Sequence, residues 1–334
     1  MQGEFRRLLG ALAVLIAVSG AAWAQGPGGS DWDPAWRQFT APQRRASEAP
    51  EAASGTSLEA LNRILSASQL SAADRSPYLA IRAFQLSRAG READSQKDIA
   101  EMARILPDRW SVLLFTTLPG LAGGGDRAAA LRILDHGRQR KPDDPWLAIA
   151  QAHVHMQLAE FARAQGLLDD VLAGPAVGST RRTALYYRGH AHVNLGAFQE
   201  AADDFAESRP ERIATGATRM GALWRYAALV PTRHDARAAL AAEIGSESLT
   251  DWPGPIGRFL LGRLPAGELE VAAETDETAK RANGNCPAAF FIGMEAQRRG
   301  DRQRAREQFQ LAQARCPTVS ELNWAASSQL KRPL

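Results

Sequence analysis

Cysteine, lysine and tyrosine are scarce in this chain. Its 334 residues include two cysteines, four tyrosines and five methionines. The lysines are Lys97, Lys141, Lys280 and Lys331. Two cysteines are too few for a disulfide-stapled miniature domain or a four-cysteine zinc site. They also lack C-x-x-C spacing and flanking histidines, the usual marks of a redox or metal pair. The formal charge is +3, but the arginines are spread among acids. No basic block with interleaved aromatics stands out, which argues against a nucleic-acid partner. Catalytic signatures are missing too: there is no G-x-S-x-G elbow and no H-E-x-x-H. The run Gly123-Gly124-Gly125 lacks the Lys-Ser/Thr of a phosphate loop and reads as a turn. The expectation is a chain with no cofactor, no metal site and no enzymatic activity.

What is present begins with an address. Arg6 and Arg7 precede an apolar run, Leu8 to Val18, and Ala22-Trp23-Ala24 follows as a small-x-small cleavage site. Residues 1–24 are predicted to be a signal peptide, with the mature chain starting at Gln25. The run is short for a membrane span, so no stable membrane insertion is expected. No cysteine lies near the cleavage site to carry a lipid. The predicted location is periplasmic or secreted. Residues 25–55 are rich in Pro, Gly, Ser and Ala, and read as a flexible linker carrying Trp32 and Trp36.

Alanine and arginine dominate and β-branched residues are few, which favours helix. From Cys286 to Val319 the helical pattern acquires a unit. Small residues stand at Gly293, Ala305 and Ala312, with Phe309 between them and Pro317 near the end. Those spacings match the 34-residue helix–turn–helix of a tetratricopeptide repeat (TPR). The small residues let two helices approach, Phe309 fills the gap, and Pro317 ends the second helix. The same register appears at 76–109, 145–178 and 182–215. A degraded unit lies between the first two, at 111–144, where Pro119 and Gly120 are predicted to break the first helix. The fold expected is all-α: a right-handed solenoid of TPR and TPR-like hairpins over 56–331, closed by a C-terminal capping helix near 320–330. Cys286 opens one helix of its hairpin and Cys316 closes the other, so a disulfide is predicted between them.

The C-terminal part carries more specific segments. These are Leu223-Trp224-Arg225-Tyr226, then Trp252-Pro253-Gly254-Pro255-Ile256 with Leu261-Gly262, then Cys286 to Pro317. Over roughly 217–331 the chain resembles the NlpI-like group of bacterial TPR proteins. The resemblance implies an envelope adaptor that docks proteases or cell-wall enzymes, often as a homodimer. Proteins of that group are typically lipid-anchored, and this chain departs from them in lacking the anchoring cysteine.

In a TPR stack, recurring positions of each first helix face the concave groove. Here they give Phe84 in the first unit, then Trp146, Ile149, His153 and Met156, then Tyr186, His190 and Val193. That surface is apolar and aromatic with hydrogen-bonding tips, and suits an extended or helical peptide. His155 and His192 fall at positions that face the hairpin interior. The pairs Asp169-Asp170 and Asp203-Asp204 lie on second helices and read as solvated faces. The function expected is a scaffold that binds protein or peptide partners of the cell envelope through this groove. The alternatives are a structural subunit of an envelope complex, or an enzyme centred on His153 and His190.

Overall fold

The computed structural model describes residues 58–66, 70–123, 126–209, 216–232, 234–245, 249–281 and 283–332. The predicted signal peptide and linker lie outside the described residues. Among those described, the regular structure is helical throughout, in seventeen helices. The chain divides into two compact units, which part between Leu158 and Ala159. That division falls inside the span 145–178 read from sequence as one repeat.

The first unit holds α1 (Leu58–Ser66), α2 (Ala72–Arg88), α3 (Glu92–Ile105), α4 (Trp110–Gly123), α5 (Arg127–Arg140) and α6 (Pro145–Gln157). Helices α2 and α3 form one hairpin, and α4 packs with α2, α5 and α6. Leu79, Ile99, Met102, Leu114, Ile133 and Leu147 are almost wholly removed from solvent between them. Burying one such side chain stabilises the fold by roughly 1.5–3 kcal/mol, so the stripe rather than helix propensity holds these helices. Local signals set the ends. Ser71 accepts from the Asp74 N–H at the start of α2, and Asp126 accepts from the Ala129 N–H at the start of α5. Asp144 caps α6, which begins with Pro145. Pro there forfeits only an N–H that would be unpaired anyway.

The break expected at Pro119 and Gly120 is absent. Helix α4 runs through Pro119 and Gly120 to Gly123 without a break. A proline in the last turns removes a single backbone bond. The burial of Leu114 and Leu118 outweighs that loss.

The second unit holds α7 (Phe161–Ala173), α8 (Gly178–Leu195), α9 (Phe198–Glu207), α10 (Gly216–Leu229), α11 (Ala236–Ile244) and α12 (Gly254–Leu260). It continues with α13 (Ala266–Thr275), α14 (Glu277–Arg281), α15 (Asn285–Arg298), α16 (Arg302–Arg315) and α17 (Glu321–Leu330). Sequential helices pack against one another, most extensively α15 on α16, then α8 on α7 and α9. The close approach within each hairpin depends on glycine. A Cβ added to Gly293 would lie 2.8 Å from the Phe309 ring, and one on Gly189 would lie 2.9 Å from Phe205. Gly196 ends α8 in the left-handed conformation, φ 87°, which L side chains rarely adopt.

Cys286 and Cys316 are joined by a disulfide, with their Cα atoms 4.9 Å apart and 30 residues between them in sequence. It clips the start of α15 to the end of α16. Closing a loop of that length contributes about 3–4 kcal/mol in the chain-entropy model.

Candidate functional site

The residues expected to line a groove are mostly inside. In the first unit, Ile149 and Met156 are wholly buried, and Phe84 and His153 nearly so. Burial alone pulls the His153 imidazole down to about 4, so it stays neutral near pH 7. Trp146 is half-buried, its ring 5.0 Å from that of Phe115. In the second unit His190 is 0% exposed and Val193 is buried, while Tyr186 is half-buried. His190 sits edge-on to three rings: Tyr186 and Trp224 at 4.5 Å each, and Phe205 at 5.1 Å. Trp224 continues the cluster to Phe290 and Phe291 at 5.2 and 6.0 Å. Six of the eight residues are thus buried, and only Trp146 and Tyr186 keep part of their surface exposed. The reason is composition: an inner face of aromatic and aliphatic side chains gains more by packing on neighbouring helices than by facing water.

Part of that covering comes from the far end of the chain. Helix α17 caps α16, as the sequence leads one to expect, but it also lies along α8. Ser328 donates to the Asn194 side-chain oxygen at 2.7 Å. Arg332 donates to the carbonyls of Val193 and Asn194 at 3.0 and 2.7 Å, and its guanidinium stands 4.9 Å over the Phe198 ring. At the other end, the Trp324 ring is 6.4 Å from Phe161, and the indole N–H donates to the Thr318 carbonyl. Glu321, Asn323, Ala325, Ala326 and Gln329 are buried. Burial pushes the Glu321 carboxyl up to about 7. Burial, then the charge of Glu321, raises the phenols of Tyr186 and Tyr187 well above their ordinary value. Glu321 thus lies toward Tyr186 while Ser328 and Arg332 lie toward Asn194, so α17 and α8 run parallel. The face of α8 expected to receive a peptide is engaged by a short helix of the same chain, none of whose residues is fully exposed.

Asp204 requires a second correction. Its neighbour Asp203 is exposed, as expected, but Asp204 is 3% exposed. It accepts from Arg188 Nε and Nη2 at 3.0 and 2.6 Å and faces His192 Nδ1 at 2.9 Å. Arg188 also reaches Asp169 at 2.8 Å. Arg82 and Asp98 make the same pair in the first unit, at 2.6 and 2.8 Å. Both pairs are sixteen residues apart, an arginine on the first helix of a hairpin and an aspartate on the second. That recurrence was the sequence signal that could have found them. Each pair ties its hairpin together across the interior.

Among the described residues no group of three or more His, Cys, Asp or Glu is placed to hold a metal ion. No helix among them is long and apolar enough to cross a membrane.

Glycine-on-phenylalanine contacts, sequential antiparallel helices and the absence of strands among the described residues define the class: an all-α protein of TPR-type helix–turn–helix repeats. Two solved structures are similar to it. One is a tetratricopeptide repeat protein from Parabacteroides merdae, 16% identical, covering 75% of this chain and 98% of its own, with a TM-score of 0.41. The other is PilW, described as a widely conserved type IV pilus biogenesis factor, 14% identical, covering 74% of this chain and 96% of its own, with a TM-score of 0.36. No family model matches the chain. No curated protein sequence matches it either.

Proposed function

We propose that this protein is a periplasmic adaptor that holds partner proteins through helix-receiving faces of its repeats. The observation that carries the reading is α17 held lengthwise along α8 by Ser328 and Arg332. A face that accepts one short helix in cis has the apolar surface and the polar end-stops to accept another in trans. The disulfide and the signal-like N-terminus support an oxidising compartment outside the cytoplasm. Such an adaptor speeds its partners' reactions by raising their local concentration. The partners are envelope proteins that carry a helix similar in pattern to α17, and proteases or cell-wall enzymes are the classes the sequence resemblance suggests.

The test is a crosslinked pull-down from the native envelope with residues 25–334 as bait. A second bait ends at Leu330, so that α17 remains but the three contacts of Arg332 are lost. A synthetic peptide covering 320–334 is the competitor. The expected result is a partner captured more strongly by the shortened bait and released by the peptide. Equal capture by both baits with no competition would move the interaction away from this face. Capture of nothing by a folded bait would end the proposal.

A further inference from the structure

A second feature of the second unit lies apart from the α8–α17 contact. Glu295, near the end of α15, is 2% exposed. Its Oε1 accepts from Arg237 Nη2 at 2.6 Å, Arg298 Nη2 at 2.9 Å and Arg299 Nε at 2.7 Å. Its Oε2 accepts from Arg298 Nε at 2.7 Å and from the Tyr226 hydroxyl at 2.5 Å. Burial opposes ionisation here, but the hydrogen bonds from Arg298, Tyr226 and Arg299 outweigh it and hold the carboxyl down at about 2.

One carboxylate therefore anchors three guanidiniums, and two positive charges are left in excess at this point. Two nearby acids serve as helix caps, and a third lies toward another arginine. Asp235 accepts from the Arg237 and Ala238 N–H groups at the start of α11, and Asp301 accepts from the Arg304 N–H at the start of α16. Glu270 stands 3.9 Å from Arg304. Arg82 alone clamps Asp98, whereas Glu295 gathers three arginines. The side chains of Arg237, Arg298 and Arg299 remain 35%, 30% and 59% exposed. Arg298 spends its Nε–Nη2 edge on Glu295, while Arg237 and Arg299 spend one N–H each. Arg237 Nε is buried without a hydrogen-bond partner in this structure. The result is a short row of fixed, half-exposed forks from the start of α11 and the end of α15. Guanidinium forks match carboxylates two bonds at a time. Because the three guanidiniums are spread over the ends of two helices and are partly exposed, they suit several carboxylates along a chain better than one compact anion.

We propose that Arg237, Arg298 and Arg299, held in place by Glu295, form a docking site for an acidic peptide segment of a partner protein. The buried Glu295 is a positioning residue, because it fixes the guanidiniums before the ligand arrives and so reduces the ordering cost of binding. The site does not rest on the α8–α17 surface.

The experiment titrates the intact protein with acetylated hexaglutamate, with hexaglutamine and with inorganic phosphate, by calorimetry at low ionic strength. Arg299→Gln is compared with the double variant Arg298→Gln/Arg299→Gln and with Arg306→Gln, an exposed arginine elsewhere on α16. The expected result is hexaglutamate binding that weakens about tenfold in the double variant and not in Arg306→Gln, while hexaglutamine does not bind. Arg299→Gln spends only one bond and should lose part of the affinity with an unchanged thermal midpoint, which keeps the test readable if the double variant unfolds. Failure to bind hexaglutamate would overturn the proposal, as would equal binding by all variants. Phosphate that binds with the same variant dependence in place of the peptide would overturn the assignment to an acidic peptide. None of these outcomes depends on whether a partner is captured through α8.

Discussion

Two adjacent aspartates on α9 provide a sharp test of the packing described above. Asp204→Ala removes an almost fully buried carboxylate that receives Arg188 and His192. Breaking a buried pair by removing one partner typically costs about 3–5 kcal/mol, because the other charge is stranded. Here the cost is lower. The Arg188 side chain is 24% exposed and keeps Asp169 at 2.8 Å. The loss should be about 2–3 kcal/mol. Asp203→Ala, one residue away, removes an exposed group whose hydrogen bond is to Gln199 on the surface. Its effect should stay within about 0.5 kcal/mol. The assay is urea unfolding followed by circular dichroism and tryptophan fluorescence. Trp224, in the same unit, reports its core. Two compact units need not unfold as one transition, so the comparison is made on the transition that Trp224 follows. A double change, Asp204→Leu with Arg188→Leu, should cost less than Asp204→Ala alone, because the buried carboxylate and its guanidinium leave together, and Asp169, which also loses Arg188, is 45% exposed and stays hydrated. Equal losses for Asp203→Ala and Asp204→Ala would refute the reasoning.

Two further predictions concern the same unit. Gly293→Ala would place a methyl 2.8 Å from a ring, Phe309, that is itself wholly buried. Overpacking of about 1–3 kcal/mol should exceed the helix-propensity gain of roughly 0.5–1 kcal/mol, so a net loss in urea midpoint is expected, with partial rescue by Phe309→Leu. Glu321 titrates near 7 in the folded chain, above the ordinary carboxyl range. Its neutral form is the one the fold favours, so stability is fully present below the ordinary carboxyl value and declines as pH rises through about 7. Glu321→Gln should remove that decline, and thermal midpoints measured between pH 5 and about 8 should then run flatter than in the parent. A parent profile with no decline would refute the assignment.

The sequence by itself determined the parts that depend on short separations. Gly293, Ala305, Phe309 and Ala312 recur at helix-pair spacing, and the fold places Phe309 against Gly293. The pairing of Cys286 with Cys316 follows from the same hairpin, because antiparallel helices bring those two ends together. The N-terminal caps at Asp126, Asp144 and Asp301 are equally local. Within one hairpin, even the difference between Asp203 and Asp204 was available, since Arg188 stands sixteen residues before Asp204, as Arg82 stands before Asp98.

Tertiary structure alone decided which faces meet water. Repeat register puts Tyr186 and His190 on an inner face, but it does not say what else reaches that face. The answer came from Trp224 on α10 and from α17, whose contacts to Asn194 and Val193 span 134 to 139 residues. The excess charge around Glu295 likewise needed α11 and α15 to meet, with Arg237 and Glu295 separated by 58 residues. Periodicity reports the local winding of one helix or hairpin. Contacts between distant helices depend on how every intervening repeat is stacked, and no window of sequence contains that sum.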